Sequence, residues 1–244
     1  MPPPARLTTT LLLAALLGTT ACTDLRAINE TSQSKRTFRL SGDALTVDSA
    51  GADLRLVTGE PGTVTVDRTL TGKATADGNA TWSMDGDRLR LRVVCSGFVP
   101  DCTGRHVVSV PAGTALTVTN DAPTRAVEPD GALTATVDGS WLTVERPTGR
   151  LRLRAELAVN VTGATSPDVF ASSDTRAVNL GFRRAPQQVD ARAAAGAVTV
   201  TLPTGPETYR VTCTPGRSTV PSDAASKRVV NAVAGTTAQV RKAA

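Results

Sequence analysis

From Leu116 to the end of the chain an apolar alternation returns at a near-constant interval. Its members are Leu116 and Val118; Leu133, Ala135 and Val137; Leu151, Leu153 and Ala155; Val169 and Ala171; Val189, Ala191 and Ala193; Tyr209 and Val211; and Val230 and Ala232. The first members lie 17, 18, 18, 20, 20 and 21 residues apart. Alternation within each group predicts a short strand, and the long repeat predicts an array in which each unit buries its apolar face against its neighbours. Within each period a turn, often marked by glycine (Gly139, Gly196, Gly235), leads to a second strand: Trp141 to Glu145, Leu157 to Val161, Ala177 to Leu180, Ala197 to Leu202.

Two strands and two turns per period make one coil of a parallel β-solenoid with coils of about 17–21 residues. Seven rungs stacked at about 4.8 Å would span roughly 29 Å. An antiparallel β-sandwich is the alternative, because a period near 18 also holds two strands at sandwich spacing. The solenoid is favoured because equivalent positions keep their class down the chain, as stacking requires. Apolar residues make up 40% of the chain but aromatics only 3%, so the core has to be built from Val, Leu and Ala.

The N-terminal third is less periodic. Leu45 to Val47, Gly51 and Leu54 to Leu56 read as one rung. Thr63 to Asp67, Ala80 to Met84, Arg88 to Val94 and Arg105 to Val110 read as longer alternating strands, with a hairpin turn at Asp85-Gly86-Asp87. These strands are expected to form an antiparallel cap over the first coil, whose apolar end needs cover.

Ahead of this lies Arg6, then the apolar run Leu11 to Leu17, then Gly18-Thr19-Thr20-Ala21-Cys22. That layout is a signal peptide, too short in its apolar part to span a bilayer, which takes about 20 residues. A small residue followed by cysteine resembles the lipobox of bacterial lipoproteins. The resemblance implies cleavage after residue 21, diacylation of Cys22 and retention on the outer face of the cell membrane. Thr19 departs from the leucine usual in that motif, and an ordinary secretory signal is the competing reading. Residues 22–36 are polar and without period, the composition of a tether, which leaves 37–244 as a single domain.

Cys95 and Cys102 bracket turn formers and would sit in an oxidising compartment, so a disulfide is expected. Closing that eight-residue loop would contribute about 2.5 kcal/mol through chain entropy. Cys213 falls on the apolar phase of Tyr209 and Val211 and reads as a buried, inert thiol.

Val108-Ser109-Val110-Pro111-Ala112-Gly113 followed by Leu116-Thr117-Val118, the rungs with glycine turns, and Ala195-Gly196-Ala197-Val198-Thr199-Val200-Thr201-Leu202-Pro203 together resemble the bacterial "putative adhesin" domain family. The likeness covers about residues 40 to 240. It implies a right-handed β-solenoid at the cell exterior and carries no site residues over. The sequence departs from the pattern where glycine is missing before Arg125-Ala126-Val127 and before Arg176-Ala177-Val178, and these coils are expected to be irregular.

Little in the chain points to catalysis. His106 is the only histidine and shares its phase with Val108 and Val110, which fits a hydrogen-bonded residue at the core edge better than a base lacking a nucleophile. The outward positions Thr117, Thr134, Arg152, Phe170, Asp190 and Arg210 hold no ladder of carboxylates, which argues against a polysaccharide-active β-helix enzyme. Asp85 and Asp87 lack further calcium ligands at loop spacing. No cofactor and no metal are expected. Of the 27 basic residues, 23 are arginine; the formal net charge of +5 is too small to argue for nucleic acid, and the scarcity of aromatics for base stacking points the same way.

Two runs stand out as surfaces: Arg88, Arg90, Arg92 and Arg150, Arg152, Arg154. Alternation puts each trio on one face of its strand. Such runs are usually solvated sheet faces that resist aggregation. The sharper reading is contact with anionic cell-wall polymers or lipid headgroups, which guanidinium forks suit. The sequence therefore favours a non-catalytic, lipid-anchored surface protein presenting a β-solenoid for adhesion or envelope-component binding. An envelope accessory protein that binds a partner protein is the runner-up.

Overall fold

The computed structural model describes residues 30–96 and 101–243. The N-terminal strands are β1 (Thr31–Arg39), β2 (Ala44–Ala50), β3 (Asp53–Gly59), β4 (Thr63–Gly72), β5 (Ala80–Asp85), β6 (Arg88–Val93) and β7 (Cys102–Pro111). The repeating region contributes β8 (Ala115–Asn120), β9 (Thr124–Val127), β10 (Leu133–Val137), β11 (Trp141–Glu145), β12 (Leu151–Ala155), β13 (Ala158–Ala164), β14 (Asp168–Ser173), β15 (Val178–Phe182), β16 (Gln188–Ala193) and β17 (Val198–Leu202). β18 (Arg210–Ser218) and β19 (Val229–Lys242) follow. The fold is all-β; among the described residues the only helical piece is a 3-10 turn at Lys73–Thr75.

From β8 to β17 each strand pairs with the strand two further on, and every such pair is parallel. One ladder runs β8, β10, β12, β14, β16; the other runs β9, β11, β13, β15, β17. An antiparallel sandwich has no such pairs. In-register stacking places like on like: Leu116, Leu133, Leu151, Val169 and Val189 form one column, and Leu142, Val159, Val178 and Val198 another. Both columns enter a single buried cluster. Each fully buried Val or Leu is worth about 1.5–3 kcal/mol, so a core of small residues suffices when it is repeated in every rung.

The corners explain both the glycines and their absences. A Cβ on Gly149 would overlap the carbonyl oxygen of Gly131, and one on Gly131 would overlap that of Thr114, so this corner is a column of close backbone approach. Gly139 turns with φ 65, a conformation that disfavours L side chains. Where glycine is missing, a buried polar side chain closes the turn instead. Asn120 Nδ2 donates to the carbonyls of Ala52 and Ala122 and to Thr124 Oγ1. Ser173 Oγ donates to the Arg176 carbonyl at 2.6 Å. Of the coils expected to be irregular, that of β9 keeps regular parallel register, whereas β15 pairs in parallel with β13 through a register shift between Val161 and Ala164.

Both ends depart from simple chain order. β2 and β3 do form a rung, but it lies between β6/β7 on one side and β8/β9 on the other, all parallel. β6 and β7 are thus rung strands rather than members of a purely antiparallel cap. Among the described residues antiparallel pairing is confined to β4 on β7, β1 on β4 and the β5–β6 hairpin, which turns at Gly86 with φ 59 as the Asp85-Gly86-Asp87 motif predicts. At the other end β19 bends so that Val229–Ala234 pairs with β16 and Ala238–Lys242 with β17, while β18 lies outside it. The rungs of Tyr209 and Val230 are stacked in the reverse of their chain order.

β1 begins at Thr31, so residues 31–36 are strand rather than tether. Their lack of an apolar period follows from their position: β1 is a border strand, almost wholly exposed, that among the described residues pairs only with β4. The expected signal peptide and Cys22 lie outside the described residues.

Candidate functional site

The two arginine trios lie on the outer face of the same ladder. Arg88, Thr46, Thr117, Thr134 and Arg152 stand in one row across β6, β2, β8, β10 and β12, which puts the trios about 19 Å apart at the usual strand spacing. The structure also supplies partners that a linear reading could not see. Asp48 of β2 accepts from Arg92 at 2.9 Å and lies 3.5 Å from Arg88, and Arg92 also donates to the Asp48 carbonyl at 2.8 Å. Arg150 meets Asp168 at 3.0 Å and Arg154 meets Asp174 at 2.9 Å. The Arg152 guanidinium lies over the Phe170 ring, 5.0 Å from its centroid. Exposed pairs of this kind contribute about 0–1 kcal/mol each, so their effect is to orient the guanidinium forks and balance the face electrically.

The outward row Thr117, Thr134, Arg152, Phe170, Asp190 is in register as read. Arg210 does not extend it: Arg210 stands against Val229, and the row continues through Asn231 to Thr212 because β19 intervenes. Asp190 is engaged by Arg192 through two hydrogen bonds of 2.7 and 2.9 Å.

His106 is fully buried, and neither ring nitrogen has a hydrogen-bond partner among the described residues. The expected hydrogen-bonded histidine at the core edge is instead an unpartnered one inside it. Burial, reinforced by the positive charge of Arg68, pushes its pKa down to about 4. The ring is neutral at pH 7 and enclosed, out of reach of a substrate. Cys95 and Cys102 are joined in a disulfide. Cys213 is a free thiol, half-buried rather than buried; its Sγ contacts the Ala238 carbonyl at 3.1 Å, and burial pushes its pKa up. Among the described residues no three His, Cys, Asp or Glu side chains stand together as a metal site would require.

The outer face of the second ladder holds a feature the sequence reading passed over. Arg105 of β7, Arg55 of β3, Arg125 of β9 and Trp141 of β11 border a groove of about 560 Å³, whose lining also includes Asp53, Leu54, Val107, Pro123, Thr124 and Thr143. Asp53 is paired with Arg105 in register, and Arg55 with Arg125. Trp141 is 49% exposed, the largest exposed apolar side chain among the described residues. The three arginines and Trp141 each sit on the solvent phase of their own strand. Only the out-of-order insertion of β3 between β7 and β9 brings them together.

No protein-family model matches the sequence, and no curated protein matches it. The chain is similar to the solved structure of a "putative cell adhesion protein" from Clostridium sporogenes, with 9% identity and a TM-score of 0.41 over 87% of this chain and 99% of that one. It is similar to a "putative adhesin" from Parabacteroides merdae, with 9% identity and a TM-score of 0.45 over 87% and 96%. A "putative adhesin" from Parabacteroides distasonis gives 11% identity and a TM-score of 0.45 over 87% and 97%. These names coincide with the family that the sequence motifs resemble; likeness at this level bears on neither ligand nor partner.

Proposed function

We propose that this chain is a non-catalytic protein, anchored by lipid on Cys22 to the outer face of the cell membrane, that presents a right-handed β-solenoid for binding an envelope component. The observation that carries the binding role is the outer face of the first ladder, where the trios Arg88, Arg90, Arg92 and Arg150, Arg152, Arg154 flank rows of threonine in register. A flat face repeated rung by rung suits an extended partner, and phosphate-bearing wall polymers or lipid headgroups match the guanidinium forks. The handedness follows from the rule for connections between parallel strands, and the anchor from the lipobox-like Ala21-Cys22.

The test uses two variants in the native host. Mass spectrometry of the mature protein should find an acylated cysteine at position 22 as the first residue; an unmodified amino terminus elsewhere removes the anchor. With Cys22→Ala releasing the lipid, changing both arginine trios to Gln should lower the fraction retained by the cell wall several-fold. Unchanged retention removes the binding role of this face.

A further inference from the structure

The groove on the second ladder has the chemistry of a binding site that is separate from the arginine trios. Arg55 and Arg105 form no ion pair within 4 Å among the described residues. Arg125 is held by Glu145 from the next strand of the ladder. Two arginines without an ion pair thus face a single lining carboxylate, Asp53, across a groove of about 560 Å³. An excess of cationic forks in a concave wall attracts anions, and guanidinium is shaped for carboxylate.

Trp141 gives the site its second element. It stands on the same outer face, one strand beyond Arg125, and leaves 49% of its surface to solvent. An indole held on a rigid strand offers a flat apolar platform with little conformational entropy to lose. A flat platform beside cationic forks suits a ligand that has both an apolar ring face and carboxylates. Acidic sugars have both, since a pyranose presents a face of C–H groups and a uronate carries its carboxylate at the ring edge. We infer that this groove binds a segment of an acidic, uronate-containing polysaccharide, with Trp141 stacked on a sugar ring and Arg55 and Arg105 meeting its carboxylates. The site deepens the envelope-binding role proposed above. It lies on the other outer face, so the two readings fail separately.

The test titrates the full-length chain in mild detergent with a defined oligogalacturonate, following tryptophan fluorescence and heat. Saturable binding is expected, weakened at least tenfold by Trp141→Ala and by the double change Arg55→Gln, Arg105→Gln, and unaltered by Arg217→Gln on β18, outside both the groove and the trios. Neutral dextran oligosaccharides should bind at least tenfold more weakly than the uronate, and any binding of poly(glycerol phosphate) should be unaffected by Trp141→Ala. Unchanged thermal melting of the variants, whose altered side chains are exposed, separates loss of binding from loss of fold. The inference is overturned if oligogalacturonate does not saturate the chain, if Trp141→Ala binds it as tightly as the parent, or if neutral dextran oligosaccharides bind equally well. In each of these cases the wall-retention experiment on the trios stands untouched.

Discussion

Arg68 stands directly opposite His106 across the antiparallel β4–β7 pair, so a cation faces a buried imidazole that has no hydrogen-bond partner among the described residues. Arg68 is itself tied down: it donates to Ser34 Oγ and the Ala80 carbonyl and lies 4.1 Å from the centroid of the Trp82 ring. The imidazole cannot escape the charge, and protonating it would set two cations side by side in the interior.

That geometry fixes a pH dependence. His106 has a pKa of about 4 in the fold against 6.5 in the unfolded chain, so on acidification the unfolded chain takes up the proton first. Stability is then full above about pH 7, falls between 6.5 and 4, and levels off below. The ceiling of the loss is about 3 kcal/mol. Urea midpoints at pH 7.5, 6 and 5 should fall steadily for the parent, and the fall from 7.5 to 6 should vanish in His106→Leu, since this is the only histidine in the chain. An equal fall in both proteins would show that another group is responsible.

The corner column predicts an asymmetric response to one methyl group. In Gly149→Ala the new Cβ meets the Gly131 carbonyl, and relieving that overlap should destabilise by about 1–3 kcal/mol. Gly42→Ala, whose nearest neighbour would be Ala44 N at 3.9 Å, should change stability by less than about 0.5 kcal/mol. Thermal melts of the pair decide the matter.

Phase along the strands makes a similar contrast. Leu142 is fully buried between Thr124 and Val159 in its ladder, and Leu142→Ala should cost about 2–5 kcal/mol. Thr134→Ala, on the outward row, should cost less than about 0.5 kcal/mol. Equal losses in denaturant titrations would mean that the inward column is not the main support of the stack.

The disulfide closes a short loop beside the end of β6 and the start of β7. Replacing Cys95 and Cys102 together by Ser should lower stability by about 2.5 kcal/mol, measured as a shift of the urea midpoint, and the parent in reducing buffer should show the same shift. Cys213→Ser should leave the response to reductant unchanged, because that thiol is free.

The repeating half was legible because its signal is local. Leu133, Leu151 and Val169 each open a short alternating run, and each becomes a member of one stacked column. The Asp85-Gly86-Asp87 turn was legible for the same reason. Insertion of the Leu45 rung between β6 and β8 left no trace in periodicity, since parallel partners distant in sequence are chosen by packing of the assembled core. The arginine trios were placed on the right phase, whereas their carboxylate partners Asp48, Asp168 and Asp174 come from other strands or corners. The groove was hidden for the same reason: Arg55, Arg105, Arg125 and Trp141 lie on four separate strands, and none belongs to a run.

The placement of β19 between β17 and β18 bears on the order in which the protein can mature. A ribosome delivers β18 before β19, yet β18 has no strand to dock against among the described residues until the 14-residue β19 has slotted in beneath it. Until β19 is made, β16 and β17 present bare hydrogen-bonding edges, as does a chain cut near residue 228. Such a product would lose two layers at once and leave a sticky sheet margin open to self-association. β19 therefore acts as a keystone, and an array that could shed an outer layer becomes a body locked by a strand made later than the one it supports.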